Sequence, residues 1–210
     1  LGVSVQASAA HWLDQNTFIW NGNVEPASIV KLHYSADADL AIGRDGRLNG
    51  SNVELLPAEL TDAQKAVVPH LADKPAFSAN FTADEAKAMV KNQLVLAATD
   101  VDGELLAATY VQAAKVLDDL YTKADDDADE ATLGVVYDGG NISSRLWAPT
   151  ARSVKLKVYN ATKSLTATYD MALDNSTGIW RYDGSSALDR QFYRFEVTVY
   201  HPVTRKVETI

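Results

Sequence analysis

The sequence predicts a mainly β protein, an α+β first domain followed by an antiparallel β-sandwich. Three observations carry this. Short β-favouring runs bounded by Gly, Asn, Asp and Pro crowd the two ends of the chain. Residues 1–133 hold 21 acidic and 9 basic groups, whereas residues 134–210 hold 7 and 10. Between them stands Asp125-Asp126-Asp127-Ala128-Asp129-Glu130, a charge run with no apolar anchor, which reads as a linker. The expected domains are therefore residues 1–132 and 133–210. A length of 210 residues accommodates two such domains.

The first domain opens with strands. Thr17-Phe18-Ile19-Trp20 is β-favouring, and Asn21-Gly22-Asn23 turns it. In Ser28–Tyr34, Val30, Leu32 and Tyr34 share one face and Ile29, Lys31 and His33 the other, the pattern of a strand with one buried side. Residues 37–50 read as loop. The middle reads as helical and acidic. Thr61 with Gln64, and Thr82 with Glu85, have the spacing of capping boxes, and Pro69 should end the first helix. Leu94–Ala98 reads as a strand turned by Asp100-Val101-Asp102-Gly103, and Tyr110–Tyr121 has near-helical apolar spacing.

The second domain reads as strands throughout: Leu133–Tyr137, Ser144–Trp147, Val154–Tyr159, Thr166–Leu173, Ile179–Tyr182 and Phe192–His201. Val154, Leu156 and Val158 alternate with Lys155, Lys157 and Tyr159. Tyr193, Phe195, Val197 and Val199 alternate with Arg194, Glu196, Thr198 and Tyr200. Trp147 and Trp180, inside short strands, are expected in the core.

Composition narrows the function. Hydrophobic residues make up 47% and charged residues 22%, which excludes chain-wide disorder. No cysteine is present, which excludes disulfides, thiolate metal sites and a Cys nucleophile. The net charge of −9 argues against a nucleic-acid partner. No apolar run is long enough to span a membrane. The start, Leu1-Gly2-Val3, lacks a basic region and suggests a processed or trimmed terminus. The histidines at 11, 33, 70 and 201 have no ligand spacing. Asp125, Asp127 and Asp129 match the first spacings of an EF-hand, but Glu130 and Val136 stand where Gly and Glu are required. No metal ligand set and no cofactor are expected; a structural calcium ion is the alternative these acidic turns leave open.

Arg145-Leu146-Trp147-Ala148-Pro149-Thr150-Ala151, Gly178-Ile179-Trp180 and Phe192-Tyr193-Arg194-Phe195-Glu196-Val197 together resemble the family 48 carbohydrate-binding module. Tyr200-His201-Pro202 narrows the likeness toward type I pullulanases and limit dextrinases of glycoside hydrolase family 13. Ala10-His11-Trp12-Leu13-Asp14, Leu32-His33-Tyr34-Ser35 and Val116–Tyr121 resemble the domain preceding that module. The resemblance covers nearly the whole chain. It implies an immunoglobulin-like β-sandwich, a catalytic (β/α)₈ barrel beyond Ile210 as partner, α-glucan as a second partner, and a secreted or cell-surface bacterial setting.

It also implies that this chain is a non-catalytic accessory fragment. Retaining hydrolysis needs two carboxylates about 5–5.5 Å apart on a rigid scaffold, and no such pair can be nominated. The open alternatives are a stand-alone α-glucan- or calcium-binding module and a complete small hydrolase using Asp and Glu. In glycogen-binding relatives two Trp and a Lys form the sugar platform. By position the Lys falls at Arg194, while the Trp stretches, residues 160–165 and 202–206, contain no aromatic residue. Arg194, Tyr159 and Tyr200 remain as the candidate carbohydrate-binding residues.

Limited proteolysis should cut first within residues 125–130 and leave a C-terminal fragment of about 80 residues, because linkers separate domains. A chain that resists cleavage there would contradict the linker assignment.

Overall fold

The structure, a computed structural model, describes residues 2–123, 128 and 131–210. The chain divides into two compact units, Leu1–Leu120 and Tyr121–Ile210. The expected 132/133 boundary comes just past the undescribed residues. The expected linker, Asp125–Glu130, lies outside the described residues except for Ala128.

In the first unit seven strands close into a barrel. They are β1 (Val5–Asp14), β2 (Thr17–Trp20), β3 (Ile29–Ser35), β4 (Ser51–Ala58), β5 (Ala76–Ser78), β6 (Gln93–Thr99) and β7 (Leu105–Gln112). Their order is β1-β2-β5-β4-β3-β6-β7. Every neighbouring pair is antiparallel except β1 with β7, which is parallel and closes the ring. Closure removes the exposed edges that an open sheet would present. Trp12 and Phe18 stack in the core with ring centroids 5.0 Å apart, beside Val30, Leu32, Leu96 and Phe77.

The expected helical middle holds both kinds of element: three short helices, α1 (Asp62–Val67), α2 (Ala83–Met89) and α3 (Ala114–Tyr121), alternate with β5, β6 and β7. Both capping boxes form, Thr61 with Gln64 and Thr82 with Glu85, and a 3₁₀ turn begins at Pro69. The near-helical spacing from Tyr110 breaks at Ala113. Tyr110 pairs with Val95 and Val111 with Ala10, so sheet pairing on both sides takes these residues into β7.

Residues 36–50 form a loop pinned to the outside of β3 and β6. Leu40 N–H donates to the Gln93 side chain at 2.9 Å, and the His33 Nδ1–H donates to the Asn49 carbonyl at 2.8 Å. The loop buries Leu40 against Val95, Ala97 and Ala108, and His33 is 6% exposed.

The second unit is a sandwich of two four-stranded antiparallel sheets. Its strands are β8 (Gly134–Asp138), β9 (Asn141–Trp147), β10 (Ala151–Tyr159), β11 (Leu165–Asp170), β12 (Ala172–Asp174), β13 (Ile179–Gly184), β14 (Phe192–His201) and β15 (Lys206–Thr209). One sheet is β11-β10-β14-β15 and the other β12-β13-β9-β8. The chain crosses from the first sheet to the second at buried Met171. Val154, Leu156 and Val158 meet Ile142, Trp180 and Leu188 between the sheets.

Trp180 is core, as expected, and its indole N–H donates to the Ala148 carbonyl at 2.9 Å. Trp147 departs from expectation: it is half-buried. It points to the other side of the sheet, where its N–H donates to the Thr177 carbonyl at 2.9 Å. Trp147 covers Gly178, whose φ of +74° disfavours a side chain and where an added Cβ would meet Pro149 at 2.8 Å.

Trp180→Ala should therefore cost about 3–5 kcal/mol, the range for emptying an aromatic core site, and Trp147→Ala less, about 0.5–3 kcal/mol. Urea titrations followed by circular dichroism measure both; a reversed order would contradict this packing.

A second expectation concerns pH. Burial pushes the His33 imidazole below its ordinary value, Lys31 adds to this, and the bond to Asn49 opposes it. The unfolded chain then takes up this proton first. The contribution of neutral His33 is intact above about pH 6.5 and is lost as pH falls through that value toward the lower folded one. Between about pH 7.5 and 5.5, wild-type should lose more stability in urea than His33→Gln, in which His11 still titrates. Equal losses would remove His33 from the pH response.

Candidate functional site

The outer face of the β11-β10-β14-β15 sheet is set by alternation. Val154, Leu156 and Val158 point inward, so Lys155, Lys157 and Tyr159 point out. On β14, the same parity turns Phe192, Arg194, Glu196, Thr198 and Tyr200 outward. Register aligns the two sets: Tyr159 opposite Phe192, Lys157 opposite Arg194 and Lys155 opposite Glu196. On the other side of β10, Tyr159 stands opposite Leu165.

A row Leu165–Tyr159–Phe192 therefore crosses three strands at one end of the sheet. Leu165 is 53% and Phe192 54% exposed, and Tyr159 is half-buried between them. A bulge makes this row. Val158 pairs with Ala167 and Tyr159 with Leu165, so Thr166 is the extra residue. The Thr166 hydroxyl donates to the Val158 carbonyl at 3.1 Å and holds the bulge. The loop that follows Tyr159 is tight: the Asn160 side-chain oxygen accepts from Thr162 N–H and Ser164 N–H, both at 3.0 Å.

Arg194 lies over the Tyr159 ring, its guanidinium carbon 5.7 Å from the ring centroid, within cation–π range. The next cation, Lys157, is instead tied to Glu196 by an ion pair. Hydrogen bonding to Lys157 holds the Glu196 carboxyl below its ordinary range. Of the three candidate residues, the structure brings Arg194 and Tyr159 together. Tyr200 sits opposite Val207 near the far end of β14, eight residues from Phe192, or roughly 27 Å along the strand.

Phe192 and Leu165 were not foreseen as site residues. Phe192 was within reach, because it shares parity with Arg194 on an alternating strand. Leu165 was not, because its position opposite Tyr159 depends on the bulge.

The acidic turn raised for calcium is internally satisfied. The Asp100 carboxylate accepts from the backbone N–H groups of Asp102 and Glu104 at 2.9 Å, and the Arg47 guanidinium donates to the Asp102 carbonyl at 3.1 Å. The Asp125–Asp129 spacing lies outside the described residues. Among the described residues no group of three or more His, Asp or Glu side chains is placed to hold a metal ion. Three carboxyls among the described residues are driven toward ionisation. Asp183 is held low first by Arg181 and then Ser143, Asp174 first by the Ser176 hydroxyl, and Glu196 by Lys157. A general acid requires the opposite shift.

The family profile described as Pullulanase N2 domain matches residues 7–119. The profile described as Carbohydrate-binding module 48 (Isoamylase N-terminal domain) matches residues 132–208. A pullulanase of Klebsiella pneumoniae is 36% identical over 206 residues, covering 97% of this chain and 18% of the relative. Chloroplastic pullulanase 1 of Arabidopsis thaliana is 29% identical over 206 residues, covering 96% and 20%. The crystal structure of Klebsiella pneumoniae pullulanase complexed with maltotriose superposes with a TM-score of 0.88 at 37% identity, over 100% of this chain and 19% of that one. The ligand-free enzyme gives a TM-score of 0.89 at 37% identity, over 100% and 22%. The chain thus spans about one-fifth of the length of these relatives. With more than half of its residues matched by the first profile, the chain belongs to the Pullulanase N2 domain family.

Proposed function

We propose that this chain is a non-catalytic accessory part of a debranching enzyme that hydrolyses α-1,6-glucosidic bonds in pullulan, amylopectin or limit dextrins. Its second unit contributes an α-glucan contact surface, and its principal protein partner is the catalytic barrel of the same enzyme. The observation that carries the glucan contact is the exposed row Leu165–Tyr159–Phe192 with Arg194 against the Tyr159 ring. A glucose ring has apolar C–H faces and a hydroxyl perimeter. Flat apolar side chains cover the first, and a guanidinium donates to the second. Phe192 and Leu165 replace, on the sheet itself, the platform aromatics absent from residues 160–165 and 202–206.

The function needs no cofactor. The substrates are large polysaccharides, which fits a secreted or cell-surface setting, and no helix among the described residues is long and apolar enough to cross a membrane. Tyr200 lies outside the proposed surface.

Calorimetric titration of the chain with maltohexaose should show binding that weakens at least tenfold in Phe192→Ala and Arg194→Ala and is unchanged in Tyr200→Ala. Because Phe192 is exposed, its removal should leave stability within about 0.5 kcal/mol. The chain alone should release no reducing ends from pullulan. Binding indifferent to Phe192 and Arg194 would remove the surface, and pullulan cleavage by the chain would overturn the accessory role.

A further inference from the structure

The ladder between β14 and β15 stops halfway along β14. Its pairs run from His201 with Lys206 to Thr198 with Thr209. Beyond them Val197 and Ile210 exchange both backbone hydrogen bonds, at 2.7 and 2.9 Å. In an antiparallel pair a residue's N–H and C=O point to the same side, and that side alternates along the strand. Val197 therefore aims its amide groups away from β10. β14 runs in unbroken register from Phe192 to Thr198, so Phe195 and Tyr193 aim theirs the same way. Among the described residues nothing pairs with these two on that side.

The inner side of this gap is apolar and only half covered. Tyr193, Phe195 and Val197 pack between the sheets and are half-buried, whereas Val158, Leu156 and Val154 opposite them on β10 are at most 3% exposed. On the facing sheet the edge strand β8 sets Val135 opposite Ser144 and Tyr137 opposite Ile142, both buried residues of inward parity. Val135 and Tyr137 thus turn inward, yet remain 40% and 66% exposed. Burial first, then Tyr137 and Asp189, pushes the Tyr193 phenol up. Its buried hydroxyl has no hydrogen-bond partner among the described residues. An unpaired strand edge above an apolar groove is what β-strand addition requires. Main-chain bonds supply the pairing, and alternate side chains enter the groove.

We infer that this half of the β14 edge takes an extended stretch of the same enzyme's polypeptide, the segment that follows Ile210, as a continuation of β15 past Phe195 and Tyr193. Two observations choose this occupant. β15 is bonded through Ile210 itself and runs toward the Phe192 end of β14, so a strand continuing from it arrives in register with no loop to close. The pullulanase relatives are about five times as long as this chain, so such an enzyme has polypeptide to supply. Continued register sets the second residue after Ile210 opposite Phe195 and the fourth opposite Tyr193, both facing inward toward β8. The third stands opposite Arg194 and faces outward, so the added strand also borders the proposed glucan surface. The inference rests on the accessory reading only for the existence of the following polypeptide.

Native-state hydrogen exchange at residue resolution tests it. Three proteins are compared: the 210-residue chain, the same chain lengthened by the short encoded segment after Ile210, and the whole enzyme. In the first, the Tyr193 and Phe195 amides should exchange at least tenfold faster than those of Val197, Arg194 and Glu196, which are bonded within the sheet. In both longer forms the same two amides should slow at least tenfold. Slow exchange of Tyr193 and Phe195 in the monomeric 210-residue chain, or fast exchange in the lengthened chain, would overturn the inference. Protection confined to the whole enzyme would also overturn it, because the strand would then come from elsewhere. So would protection in the 210-residue chain that rises with concentration alongside a dimer in light scattering, the mark of a second copy. The accessory reading fails on a different result, pullulan cleavage by the 210-residue chain, which leaves the exchange comparison unaffected.

Discussion

Everything on the sandwich surface depends on the register between β10 and β14. Side chains alternate across a strand, so a one-residue slip would exchange the whole buried set for the whole exposed set. Val154, Leu156 and Val158 opposite Val197, Phe195 and Tyr193 form apolar rungs that any slip would turn to solvent. At about 1.5–3 kcal/mol for each fully buried large apolar side chain, these rungs fix the pairing. Tyr159, Phe192 and Arg194 then have no freedom in where they appear. Core packing aligns them, although none of the three belongs to the core. The bulge at Thr166 adds the third strand by shifting Leu165 into the same row.

The polar groups obey the same geometry with a different outcome on each face. On β10 and β14, Lys157 and Glu196 neutralise one another one step from the row, which leaves Arg194 to lie over Tyr159. On β9 and β13, register sets two arginines side by side, and Asp183 answers only Arg181. The shifted carboxyls are acceptors already engaged by hydroxyls or cations, an arrangement for holding shape and recognising hydroxyl groups and unlike the poised acid of a hydrolytic site.

Much of this was legible in the residues, for reasons that differ by element. The capping boxes at Thr61 and Thr82 are local chemistry, complete within four residues, and both form. The clean alternation of β10 and β14 is local too, which is why the face bearing Arg194 and Tyr159 could be read. Barrel closure could not. It requires β1 to pair in parallel with β7, about 100 residues away, and nothing in either strand names its partner. The same long-range pairing drew Tyr110 and Val111 out of an apparent helix. Trp147 shows the limit of propensity. It sits in a strand, as expected, but parity places it outside, where its burial comes from the turn at Gly178. β5 lacks a clear period because its outer side is covered: Ala76 packs with Leu60, Val68 and Leu71, so both faces accept apolar residues.

Exposure of the Leu165–Tyr159–Phe192 row is the last consequence of these constraints. Scattered apolar residues on a surface need no explanation, since most protein surface is apolar by area. A row is different, because three neighbours on adjacent strands make one continuous apolar strip. Its position opposes any purely structural use. Inward-facing residues at the same end, such as Val158 and Tyr193, already fill the core, so the strip adds nothing to burial within the sandwich. Nor is it left to aggregate freely. It ends at a tight polar loop, Asn160–Ser164, and stands beside two cations, Lys157 and Arg194, the devices by which sheet surfaces discourage non-specific pairing. An apolar strip retained against its cost, rigidly held from beneath and bordered by hydrogen-bond donors, suits a partner that is flat and apolar on its faces and rich in acceptors at its edge.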